Sequence, residues 1–124
     1  MYAYLAIAVA GVFGCWSRYV MTQLIQSIWG SDFPYATLLI NISGSFLMGF
    51  LFVETLERLT IPVWARTGIL TGFIGGYTTF STFAMETLLL IERGEALKGG
   101  LYLLLSNLLG VAAAFFGAFL ARNV

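Results

Sequence analysis

Four long runs carry no charged residue at all. Residues 1–17 precede Arg18, 36–53 precede Glu54, 67–85 lie between Arg66 and Glu86, and 99–121 lie between Lys98 and Arg122. A helix needs about 20 apolar residues to cross the ~30 Å hydrocarbon core of a bilayer. Four crossings consume about 80 residues, and a chain of 124 then has room only for short loops. The expected fold is an all-α integral membrane protein, one membrane domain over 1–124, with helices at about 3–28, 36–58, 62–93 and 97–121. Each run is too long and too uniformly apolar for a soluble domain, because only 10% of the chain is charged against a usual ~25%. That balance excludes a soluble enzyme, a disordered chain and a nucleic-acid binder.

Further exclusions follow from residue types. The chain has no His and one Cys. Histidine metal sites, triads and proton relays are absent, as are thiolate zinc clusters and intrachain disulfides. Residues 1–17 lack the basic segment that opens a secretion signal. Local punctuation supports the four segments. Trp29-Gly30-Ser31-Asp32-Phe33-Pro34 reads as a helix end, a turn and a new start. Pro62 suits the first turn of a third helix, and Gly94 suits the C-cap that closes it. Tyr2, Tyr4, Trp29 and Trp64 fall near helix ends, where an aromatic belt sits.

With four crossings both termini share one side. That side carries Arg58, Arg66 and Arg122, and the other carries Arg93, Lys98 and, depending on its depth, Arg18. Lys/Arg bias sets orientation, and here it nearly cancels. The expectation is dual topology, in which copies insert both ways and pair as an antiparallel homodimer. Four short helices barely enclose a polar path, whereas eight can build one at or beside an interface. Close helix approach in lipid needs small residues. Gly68, Gly72 and Gly76 recur on one face, as do Asn41, Ser45 and Gly49, and Ser106, Gly110 and Ala114. They serve either the dimer or packing within one subunit.

The third segment is unusual at its centre, where the chain reads Gly75-Gly76-Tyr77-Thr78-Thr79-Phe80-Ser81-Thr82-Phe83. Paired Gly followed by paired β-branched Thr makes a poor helix. A break in mid-bilayer frees carbonyls and amides that protein or an ion must satisfy. One reading is a hard cation, most simply Na⁺, on main-chain carbonyls of Gly75 and Thr78, as broken helices provide elsewhere. The other is a kinked helix whose Thr hydroxyls bond back to the chain. Phe80 and Phe83 share a face. Their ring edges are partly positive, and hydroxyls donate hydrogen bonds, so the segment either packs plainly or lines an anion path. Asn41, one turn after Thr37, marks a pathway or an interhelical bond. Tyr102 and Ser106, four apart, extend the same polar lining. Arg18 either snorkels to the interface or attracts anions at a vestibule. Glu86 lies about 13 Å beyond the centre of its helix, near a pore mouth or the membrane interface rather than at the centre.

These residues closely resemble the Fluc (CrcB) family of small fluoride channels over nearly the whole chain. The resemblance rests on Gly11-Val-Phe-Gly14-Cys-Trp-Ser-Arg18, on Asn41-Ile-Ser-Gly44-Ser45-Phe46 and, most specifically, on the run from Gly72 to Glu86. Ile74 and Ala84 stand where many members carry Cys and Ser. The resemblance implies an antiparallel dual-topology dimer with two fluoride pores and a central Na⁺, in a bacterial inner membrane. It implies fluoride contacts at Asn41, Phe80 and Phe83, a polar track of Ser81, Thr82, Tyr102 and Ser106, and Na⁺ carbonyls at Gly75 and Thr78. A passive channel suffices for fluoride resistance, because a negative-inside potential drives an anion out with ~2.3 kcal/mol per 100 mV. The runner-up, a proton-coupled exporter of the small multidrug-resistance type, needs a carboxylate deep in helix 1, where this chain has only Arg18. A scaffold subunit leaves the Gly-Thr-Phe run unexplained.

Overall fold

A computed structural model describes all 124 residues. The order is α1 (Tyr2–Trp29), α2 (Tyr35–Arg58), α3 (63–77), α4 (Phe80–Glu92) and α5 (Ala96–Asn123), with no strand. Three of these, Tyr2–Trp29, Tyr35–Arg58 and Ala96–Asn123, are long and apolar enough to cross a membrane, with mean hydropathies of 1.4, 1.9 and 2.1. The chain is an all-α integral membrane protein. Its surface agrees, since only 21 of 124 residues are buried while Leu, Phe and Trp side chains point outward along α1 and α5. In water that distribution would aggregate; in hydrocarbon it is the resting state.

Local chemistry sets the helix boundaries. α1 stops at Gly30, whose φ of 73° only glycine adopts without strain, and the Gly30 amide closes on Gln26 O at 2.9 Å. α3 begins directly after Pro62, which has φ −65° and no amide to leave unpaired. α4 ends in a Schellman-type turn. There Gly94 has φ 79° and Glu95 N donates to Leu90 O at 2.9 Å. Two stretches, Glu54–Arg58 and Gly68–Ile74, are wound in wide π-type turns.

The glycine stripe of α3 packs inside the subunit. A Cβ on Gly72 would lie 2.9 Å from Ile7 O, and one on Gly76 would lie 2.8 Å from Gly11 O. Backbone-to-backbone approach of α1 and α3 is thus possible only with glycine at these positions. α2 and α5 meet in the same way, with Gly49 against the Ala114 carbonyl and Gly117 against the Phe46 carbonyl. A small apolar core of Leu38, Phe83, Leu90 and Tyr102, flanked by Phe33, joins α2, α4 and α5. These contacts fix where α3 gives way to α4.

Candidate functional site

Between Tyr77 and Phe80 the chain leaves helical geometry. Thr78 has φ −81° and ψ 158°, Thr79 has φ −151° and ψ 117°, and both are extended. Paired glycines before the two threonines offer little helical preference to resist this. Thr79 then caps α4, with its hydroxyl accepting from Thr82 N at 3.3 Å and donating to Thr82 Oγ1 at 2.9 Å. Thr78 Oγ1 donates back to Ile74 O at 3.0 Å. The hydroxyl back-bond and the break therefore coexist.

Side chains from α1 and α2 satisfy the interrupted backbone. Asn41 Nδ2 donates to Thr79 O at 3.0 Å, and Thr79 N donates to Asn41 Oδ1 at 2.8 Å. Arg18 Nε donates to Gly76 O at 3.1 Å. Tyr77 Oη and Ser43 Oγ share a hydrogen bond at 3.0 Å. Regular winding would pair Gly75 O with Thr79 N and Thr78 O with Thr82 N, but those amides go to Asn41 and to the Thr79 hydroxyl. Two carbonyls are thereby released from the helical ladder. Gly44 lets α2 approach, since a Cβ there would strike the Thr78 methyl.

Two polar recesses flank the break, and Thr79 lines both. The first, of about 320 Å³, is walled by Asn41, Ser45, Phe80, Phe83, Ser106 and Asn107. Ser106 Oγ is buried there without a hydrogen-bond partner. Phe80 and Phe83 meet edge-to-face, with centroids 5.6 Å apart. Phe80 is 78% exposed on the subunit, whereas Phe83 is buried. The second recess, of about 370 Å³, is walled by Arg18, Thr22, Gln26, Thr37, Thr82 and Glu86.

The expected site residues thus divide in space. Asn41, Phe80, Phe83 and Ser106 gather on one side of Thr79, and Arg18, Thr37, Thr82 and Glu86 on the other. Tyr102 lines neither recess. It is fully buried in the aromatic cluster, and its hydroxyl donates to Glu86 Oε1 at 3.0 Å. Ser81 is exposed and lies outside both recesses. Arg18 turns inward onto the Gly76 carbonyl. Sequence reasoning missed Ser43, Thr22, Gln26 and the backbone of Thr79. Thr22 and Gln26 were findable, since Arg18, Thr22 and Gln26 follow one another at four-residue spacing on one face of α1. The Ser43–Tyr77 contact spans 34 residues and left no local signal.

Long apolar helices with outward-facing side chains define an integral membrane protein, and two recesses meet at Thr79 within it. The chain belongs to the CrcB family: the family model described as CrcB-like protein, Camphor Resistance (CrcB), matches residues 5–118. The fluoride-specific ion channel FluC of Acidithiobacillus ferrooxidans is 56% identical over 117 residues, which cover 94% of each chain. The protein of that name from Methylococcus capsulatus is 48% identical over 96% of this chain and 52% of the relative. That from Legionella pneumophila is 40% identical over 98% and 90%.

Proposed function

We propose that this protein is a fluoride-selective channel of the bacterial inner membrane, through which cytoplasmic fluoride leaves passively. The observation that carries the reading is the likeness, over 94% of the chain, to a protein named as a fluoride-specific ion channel. The geometry supplies the means. Fluoride is small and strongly hydrated, so a pore must replace its water with donors. Asn41 retains one amide proton beyond the one given to Thr79. The Ser106 hydroxyl is unpartnered, and the edges of Phe80 and Phe83 are partly positive. None of these carries a full charge that would hold the anion too tightly for conduction. Arg18 and the Thr22–Gln26 face form a vestibule, and Thr37, Thr82 and Glu86 line the approach to Thr79. Tyr102 acts through Glu86, and Ser81 completes the polar track only if a second copy covers it.

In this reading the segments 63–77 and 80–92 form one broken crossing, so that four crossings make the subunit and two antiparallel copies make the channel. The near balance of Arg and Lys between the two sides supports dual insertion. The outward position of Phe80 supports a pore completed by the partner. The carbonyls of Gly75 and Thr78, released from the helical ladder, are neutral oxygen donors suited to Na⁺. That ion would supply a structural positive charge where two broken helices meet. An exporter reading has less support, because α1 holds no carboxylate.

The test is fluoride efflux from liposomes holding the purified protein, with valinomycin as the K⁺ shunt and chloride-loaded vesicles alongside. Rapid fluoride release with negligible chloride release is expected. No release above protein-free vesicles from a dimeric sample discards the reading.

A further inference from the structure

Arg18 is the guanidinium that reaches the helix break. The three ion pairs of the subunit are Arg58–Glu54, Lys98–Glu95 and Arg122–Glu57, and Arg18 belongs to none of them. Its Nε instead donates to Gly76 O, 58 residues away, at 3.1 Å. The approach is imposed by packing. A Cβ on Gly76 would lie 2.8 Å from Gly11 O and 3.2 Å from Cys15 N, so α1 and α3 touch backbone to backbone one turn below Arg18. Gly76 is the last residue but one before the extended pair Thr78–Thr79. Regular winding would pair its carbonyl with the Phe80 amide, one turn on. A buried carbonyl left without a donor costs about 1–3 kcal/mol, and a charged donor bonds more strongly than a neutral one.

We infer that Arg18 is a positioning residue that holds the helix break open by occupying the Gly76 carbonyl. The bond stabilises the interrupted form over a continuous helix. The neighbouring Gly75, Tyr77 and Thr78 have carbonyls that no side chain reaches. Arg18 Nη2 donates to Cys15 Sγ at 4.0 Å and the side chain lines the second recess, so the same residue both sets the break and presents charge at the vestibule. The inference rests on reading the break as part of the ion path.

Isosteres separate the two roles. In Arg18→Gln the amide nitrogen stands at the same bond count as Nε, so the hydrogen bond is kept and the charge lost. In Arg18→Met the stem is kept and the donor lost. Two readouts are taken on purified dimeric protein. Amide hydrogen exchange at Thr78 and Thr79 should stay slow in wild type and in Arg18→Gln and rise about five- to tenfold in Arg18→Met, the loss of one hydrogen bond. Fluoride release across a concentration series should show a lowered maximum in Arg18→Met. In Arg18→Gln the maximum should stand and only the half-saturating concentration should rise. Equal loss of release in both variants with unchanged exchange would show a charge role only and overturn the inference. If wild type itself releases no fluoride, the channel reading falls, while the exchange contrast still decides whether Arg18 holds the break.

Discussion

Asn41 and Thr79 form a closed pair: the Thr79 amide donates to Oδ1 at 2.8 Å and Nδ2 donates to the Thr79 carbonyl at 3.0 Å. One side chain of α2 thereby replaces the acceptor that a continuous helix would have supplied to the Thr79 amide, and adds a donor to a carbonyl that already opens α4. The same amide faces the first recess. The residue that repairs the backbone therefore also lines that recess.

Replacing Asn41 with Asp keeps the acceptor for Thr79 N but sets a carboxylate against the Thr79 carbonyl. An unmade buried hydrogen bond costs about 1–3 kcal/mol. Fluoride release should fall about tenfold or more, with a lower unfolding midpoint in detergent. Wild-type release from Asn41→Asp in a liposome assay would remove Asn41 from the path.

Phe80 is 78% exposed on the subunit, so the Phe80→Ile subunit should fold normally. It removes a ring edge worth about 0.5–1.5 kcal/mol to a suitably placed partner. We expect roughly tenfold slower fluoride release. Full activity would mean that the ring faces lipid rather than ion.

The space around each glycine predicts opposite effects at two positions. Gly72→Ala places a methyl 2.9 Å from Ile7 O and should cost about 1–3 kcal/mol. Gly100 lies in α5 with nothing within 4 Å of an added Cβ, and Gly100→Ala should gain about 0.5–1 kcal/mol. Thermal unfolding of the two variants in the same detergent measures both signs.

Dual insertion predicts that C-terminal reporters specific for each compartment both give signal from one gene. Adding two or three Lys beyond Arg122 should bias the population to one side and reduce fluoride release. Signal from one compartment with the unmodified chain would end the antiparallel dimer.

Removal of Na⁺ tests the released carbonyls. Exchange into a large organic cation should lower the unfolding midpoint and slow fluoride release, both restored by Na⁺. Indifference of both to the cation would leave Gly75 and Thr78 as unliganded backbone.

Much of the site was legible locally. Gly75-Gly76 and Thr78-Thr79 mark a weak point in helix propensity that reads either as a break or as a kink with hydroxyl back-bonds, and Thr78 and Thr79 are extended while Thr78 also bonds back to Ile74 O. Asn41 stood out as an amide in an apolar run, and its partner is that break. Tyr102 was less readable. Its spacing to Ser106 suggested a shared lining, yet neighbours from other helices, Phe33 and Phe83, enclose its ring. The Gly68-Gly72-Gly76 stripe likewise carried two meanings in the sequence, and only its contacts with Ile7 and Gly11 decided between them.

The sequence alone determined the all-α membrane class, the presence of apolar segments long enough to cross and the turn signals between them. Those properties depend on the transfer of side chains to lipid and on local backbone preference, which act over a few residues. Tertiary structure decided that Arg18 points at Gly76 rather than at the interface, that Tyr102 addresses Glu86, and that Thr79 separates two recesses. Each of these is a contact between helices 16 to 58 residues apart. Such contacts depend on how closely backbones approach, which glycine positions permit but no local pattern specifies.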